Sequence, residues 1–187
     1  MRIHGTTDRH WRSSSAGFTL VELIVTIAVA AILTAISVPA FRSFLLNDRS
    51  VSQATSLLLS LNLARSEAIK QDLASGVTVC PSTDGATCNG GANWAQGWIV
   101  LSSTASGATA VISVVPSLAT GSTLSVTPTG TTQITFLSDG SASTVADFTL
   151  CDSRGAQFAR YTDVSATGRV SAPPVGQNTA GTALTCP

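Results

Sequence analysis

One carboxylate, Glu22, stands at the head of a run that is otherwise almost wholly apolar from Phe18 to Val38. As a helix this run of 21 residues is roughly 31 Å long, close to the hydrocarbon thickness of a bilayer. A charge at mid-bilayer costs on the order of 2.5–3.5 kcal/mol and less near an interface, so Glu22 calls for a cation or a donor. A cut between Gly17 and Phe18 would create an amine four residues before Glu22. In a helical assembly the amine of one subunit could neutralise the acid of the next. The alternative role for Glu22 is an interfacial acid in an ordinary signal anchor.

The other residues capable of chemistry fall after the apolar run. Arg2, Arg9 and Arg12 precede it, and the positive-inside bias puts the chain beyond the run outside the cytoplasm, where disulfides persist. A secretory signal would instead place its small-residue cleavage site after the run. Cys80, Cys88, Cys151 and Cys186 allow three pairings, and their spacing favours Cys80–Cys88 with Cys151–Cys186. A zinc site is disfavoured, because no CxxC occurs and the two histidines, His4 and His10, lie before the run. Without a later histidine, Ser/His/Asp and Cys/His nucleophile systems are not available to the rest of the chain. The glycine-rich stretch from Gly85 to Gly91 lacks the Lys-Ser/Thr ending of a phosphate loop. Asp147 and Asp152 could meet across a hairpin, but nothing in the sequence puts them in a cleft. A non-enzymatic protein without metal or cofactor is expected.

Arg154, Arg160 and Arg169 face two acids, Asp152 and Asp163, from Phe148 onward. They could form a modest phosphate-binding patch, or stand as surface arginines with one paired to a nearby Asp. Trp94 and Trp98 could stack on nucleic-acid bases, but closing the core of a small sheet is the expected role.

These residues need elements to hold them. Past Pro39 the helix is expected to continue with a kink, since Phe41–Leu46 and the stretch beyond remain good helix formers. Ala54, Leu57, Leu58, Leu61, Ala64, Ala68 and Ile69 recur at spacings of three and four, an apolar stripe that predicts a helix to about residue 74 with Ser75-Gly76 as its stop. Arg65 and Glu67 do not share a helix face, so each is expected at the surface or against the sheet. Beyond Gly76 the pattern changes to β-prone runs at 77–80, 98–101, 111–115, 133–136, 148–151, 160–164 and 169–170. Asp139-Gly140 is the best hairpin signal. With no helical crossovers between them, these runs predict an antiparallel sheet laid on the amphipathic helix, an α+β fold in one domain. The chain then divides into residues 1–17, a membrane helix 18–46 and a domain 47–187.

Ala16-Gly17-Phe18-Thr19-Leu20-Val21-Glu22 resembles the type IV pilin processing site. The resemblance implies that a prepilin peptidase cuts after Gly17 and methylates Phe18, and that Glu22 guides helix docking into a filament. A leader of 17 residues is long for a short-leader pilin. Removing it takes away Arg2, Arg9, Arg12 and Asp8, leaving seven bases against nine acids, a slightly acidic protein in which nucleic-acid binding would need a local basic patch. Leu61–Lys70, Val77–Cys80, Trp94–Val100 and Gly168-Arg169-Val170 further resemble the FimT/GspH family of minor pilins and pseudopilins. That resemblance implies a long N-terminal helix carrying a β-rich domain, with other pilins or pseudopilins and the inner membrane as partners, and the C-terminal domain periplasmic or on an extracellular filament. It also implies one of two roles, a structural subunit of a pilus or type II secretion filament, or a filament-borne DNA receptor in transformation. DNA-binding FimT proteins resemble one another in a Gly-Arg-x-Arg element, and this chain has Ser171 where the second arginine would stand.

Overall fold

The computed structural model describes residues 17–72, 76–103 and 108–186. The expected leader, apart from Gly17, and Ser75 of the expected helix stop lie outside the described residues.

Helix α1 runs from Leu20 to Gln71 with Pro39 in its interior. Its start is capped: Thr19 Oγ1 accepts the Glu22 amide at 3.2 Å, and Thr19 O accepts the Leu23 amide. The first turns of a helix leave such amides without intrahelical partners, which is why a threonine suits this position. α1 ends at Gln71, short of the predicted residue 74. Asp72 comes next with φ 46°, a left-handed conformation common just past a helix end and tolerated by Asp.

The chain divides into two compact units, with the boundary between Arg42 and Ser43. In the first, every described residue is exposed. In the second, eight strands come after α1 among the described residues: β1 Val77–Pro81, β2 Trp98–Ser103, β3 Thr109–Val115, β4 Thr123–Thr127, β5 Ile134–Phe136, β6 Ala146–Cys151, β7 Arg160–Val164 and β8 Val170–Ser171. All pairings are antiparallel, but they make two four-stranded sheets, in the orders β3-β2-β1-β5 and β4-β6-β7-β8. The sequence predicts a single sheet and does not mark β4. Pro116 and Pro128 bracket that strand, and proline withholds the amide a continuing ladder needs. Asp139-Gly140 does turn the chain, with Gly140 at φ 79°, yet it leads only to an isolated bridge between Phe136 and Ala142.

One core joins the helix stripe to both sheets. Leu57, Leu61, Ala64 and Ala68 of α1 pack with Val77, Val79, Val100, Ile134 and Phe136 from the first sheet and Ala146, Phe148 and Val164 from the second. Trp94 and Trp98 are fully buried in it. Trp94 meets Phe148 edge-on at 4.8 Å and donates from Nε1 to Thr131 O, while Trp98 Nε1 donates to Ser60 Oγ at 3.0 Å. Both indoles thereby satisfy their N–H while filling the core, and neither is exposed as a stacking platform.

Candidate functional site

The N-terminal residues are presented outward. Phe18 is 78% exposed, and nothing lies within 4 Å of where a Cβ on Gly17 would stand. Glu22 is the third residue of α1, at the positive end of the helix dipole, where an anion is favoured. Among the described residues, no side chain donates to its carboxylate.

The arginines are deployed differently from one another. Arg154 forms a bidentate pair with Asp152, Nη2 to Oδ2 at 2.6 Å and Nε to both oxygens at 3.1 Å. Its guanidinium lies 4.5 Å over the Phe158 ring, and Nη1 reaches Ser43 O at 3.4 Å. The hydrogen bond from Arg154, opposed by partial burial, holds the Asp152 carboxyl below the usual carboxylate range. Arg160 donates from Nε to Ser50 Oγ and from Nη2 to Asn47 Oδ1, each at 3.2 Å, pinning β7 to α1. Arg169 is exposed on the turn Ser165–Arg169, whose backbone closes through Ser165 N to Arg169 O at 3.0 Å.

Arg65, to which the sequence assigns no specific role, holds the neighbouring corner by donating to Gly140 O at 3.0 Å and Thr167 O at 3.4 Å. Gly168 is fitted tightly there, because at φ 71° a Cβ would overlap the Gly140 carbonyl oxygen. Ser50 and Arg65 are fifteen residues apart on α1, roughly 22 Å along the helix. Arg154 and Arg160 therefore anchor at one end of the domain's helix and Arg169 projects near the other. The three do not converge on one patch.

Asp147 does not meet Asp152. It lies directly opposite Asp163 across β6 and β7, and Asp163 in turn faces Ser171 of β8. Burial, then the charge of Asp147, pushes the Asp163 carboxyl up, with Arg169 pulling the other way. Burial, then the hydrogen bond and charge of Asp147, raises the Tyr161 hydroxyl. Among the described residues no cluster of three or more His, Cys, Asp or Glu is arranged to hold a metal.

Disulfides join Cys80 to Cys88 and Cys151 to Cys186, with Cα separations of 5.5 and 5.9 Å. The second holds the end of a tail that also pairs through Gly176 N to Ala159 O and Leu184 N to Gly176 O.

A capped, outward-facing apolar helix that continues into a disulfide-bonded β-rich domain defines a pilin-like subunit. Residues 53–168 match the family described as type II transport protein GspH, and residues 12–38 match the prokaryotic N-terminal methylation motif. The chain belongs to the GspH family, a family of minor pilins and pseudopilins of type IV pili and type II secretion systems. The fold is similar to that of the type IV minor pilin FimU of Pseudomonas aeruginosa in two crystal forms, each 24% identical in sequence. One form gives a TM-score of 0.55 over 70% of this chain and 92% of FimU, the other 0.50 over 66% and 91%. Family and fold are those of structural pilin subunits.

Proposed function

We propose that this chain is a non-enzymatic subunit of a type IV pilus or type II secretion filament. In this reading a prepilin peptidase cuts after Gly17 and methylates Phe18. Residues 18–46 then hold the subunit in the inner membrane as a single pass and later pack among other pilins or pseudopilins, with the domain 47–187 outside the cytoplasm. The observation that carries the reading is the first segment of α1, whose apolar residues are exposed on every side and whose one acid, Glu22, has no side-chain donor among the described residues. An all-round apolar helix needs a membrane or other helices around it. Glu22→Ala is expected to insert in the membrane normally and to be lost from sheared filaments, because removing the charge eases insertion but deletes the docking contact. Incorporation at the wild-type level would refute the docking role.

A DNA receptor borne on the filament is the second reading, favoured by the exposure of Arg169. With Arg154 and Arg160 engaged inside the domain, one phosphate contact remains from the three arginines, and the slope of log affinity against log salt should be near −0.9. A mobility-shift titration with Arg169→Ala alongside the wild type tests it. No shift by the wild type at high micromolar protein and low salt would end this reading and leave the structural one.

A further inference from the structure

Asn89-Gly90 is the one Asn-Gly pair in the chain. At such a pair the backbone nitrogen of glycine, unshielded by a side chain, is well placed to attack the preceding carboxamide. Both participants are tied down here. Asn89 Oδ1 accepts from Thr83 N at 2.8 Å and Thr83 Oγ1 at 3.0 Å, and Gly90 N donates to Pro81 O at 3.1 Å. Glycine is dictated by space, since a Cβ at position 90 would lie 2.7 Å from Pro81 Cβ and 2.8 Å from Pro81 C. Packing thus requires the residue that makes its neighbour vulnerable. Asn89 is exposed to water, and Cys88 beside it is bonded to Cys80 at the end of β1.

We propose that Asn89 is a latent deamidation site, kept silent by the loop that the Cys80–Cys88 disulfide closes, so that opening this bond with a thiol starts an irreversible modification. A dithiol transfers two electrons and two protons to the bond and is itself oxidised to a disulfide. The freed loop releases Gly90 N from Pro81 O and the Asn89 carboxamide from Thr83. Gly90 N then loses its proton to solvent and bonds to Asn89 Cγ, the Cγ–Nδ2 bond breaks, and Nδ2 leaves as ammonia after taking up protons from water. Water opens the resulting succinimide at either carbonyl, leaving aspartate or isoaspartate. Isoaspartate adds a methylene to the backbone between Cys88 and Gly90, which the close contact of Gly90 with Pro81 does not accommodate. Reoxidation then cannot restore the original loop.

The test tracks conversion of amide to acid at position 89 by peptide mapping, using the full chain in detergent at mildly alkaline pH. Three samples are compared: oxidised wild type, the Cys80→Ser/Cys88→Ser variant, which keeps Cys151–Cys186, and a synthetic peptide of residues 86–92. The variant is expected to convert roughly tenfold faster than oxidised wild type, about the factor that losing one or two hydrogen bonds of ordinary net strength sets, and to approach the peptide. Thr83→Val retains the disulfide and removes one donor to Oδ1, so it is expected to fall between them. Oxidised wild type converting as fast as the peptide would overturn the proposal, as would a variant no faster than oxidised wild type.

Discussion

α1 is one continuous helix with two different surroundings. From its start to Arg42 every residue is exposed, including Leu23, Ile27, Ile32 and Ile36. From Ser43 to Gln71 the same kinds of residue divide by face, with Leu61, Ala64 and Ala68 wholly buried while Leu59, two positions from Leu61, is 62% exposed. Apolarity alone therefore does not tell whether a residue belongs to a core. The second segment carries a stripe that its own sheets cover. The first is apolar around its whole circumference, and its described residues are all exposed.

The largest effect that would break this contrast is in the second segment. Leu61→Ala should destabilise the domain by about 2–5 kcal/mol in denaturant unfolding, since it leaves a cavity in a close-packed core. Ile32→Ala in the first segment should leave that transition unchanged. Equal losses from both would mean that the two halves of the helix share one core. Cys186→Ser should cost about 2–4 kcal/mol by freeing the tail. Limited proteolysis would then cleave within residues 172–186 faster than in the wild type.

Ser60→Ala sharpens the contrast at one atom. It removes the acceptor for the buried Trp98 N–H and should cost about 1–3 kcal/mol, the range for an unsatisfied buried donor. Ser56→Ala, whose hydroxyl bonds only to the Ser52 carbonyl of its own helix, should change stability much less.

The smallest expected effect depends on pH and belongs to the sheet face. The folded Asp163 carboxyl titrates above its ordinary value of 3.8, so the folded state binds more protons than the unfolded state in the window above that value. Its contribution is fully present below 3.8 and is lost as pH rises through the raised value. Asp163→Asn should therefore raise stability at neutral pH relative to acid, seen as a smaller fall in melting temperature as pH rises from 3.8 through the raised value, with the alkaline side unchanged. Asp152, held low by Arg154, has the opposite sign: its contribution is present above 3.8 and is lost as pH falls through the lowered value.

The helix, its stripe and most strands were legible in the sequence because period-3.6 and β-branched runs record which face is buried. β4 was not, because only Leu124 and Val126 face inward from a Ser/Thr-rich stretch between Gly121 and Pro128. The split into two sheets was hidden for the same reason. Ser50 and Ser60 are buried on a helix face, and serine gives no periodic signal there. The arginine contacts were the least readable. Arg154 finds Asp152 two residues away, but Arg160 reaches Ser50 across 110 positions and Arg65 reaches Gly140 across 75, distances over which sequence spacing carries no information. Pairing of Asp147 with Asp163 instead of Asp152 depended on a register that only the folded sheet sets.

The most direct measurement is the mass of the N-terminal peptide from protein extracted from the membrane of the native host. The expected result is a chain beginning at Phe18 with one methyl group on its amine. That outcome would place a charged nitrogen four residues before Glu22, where a neighbouring subunit could use it. A chain that retains residues before Phe18, begins after the apolar run, or starts at an unmethylated Phe18 would contradict processing as a pilin.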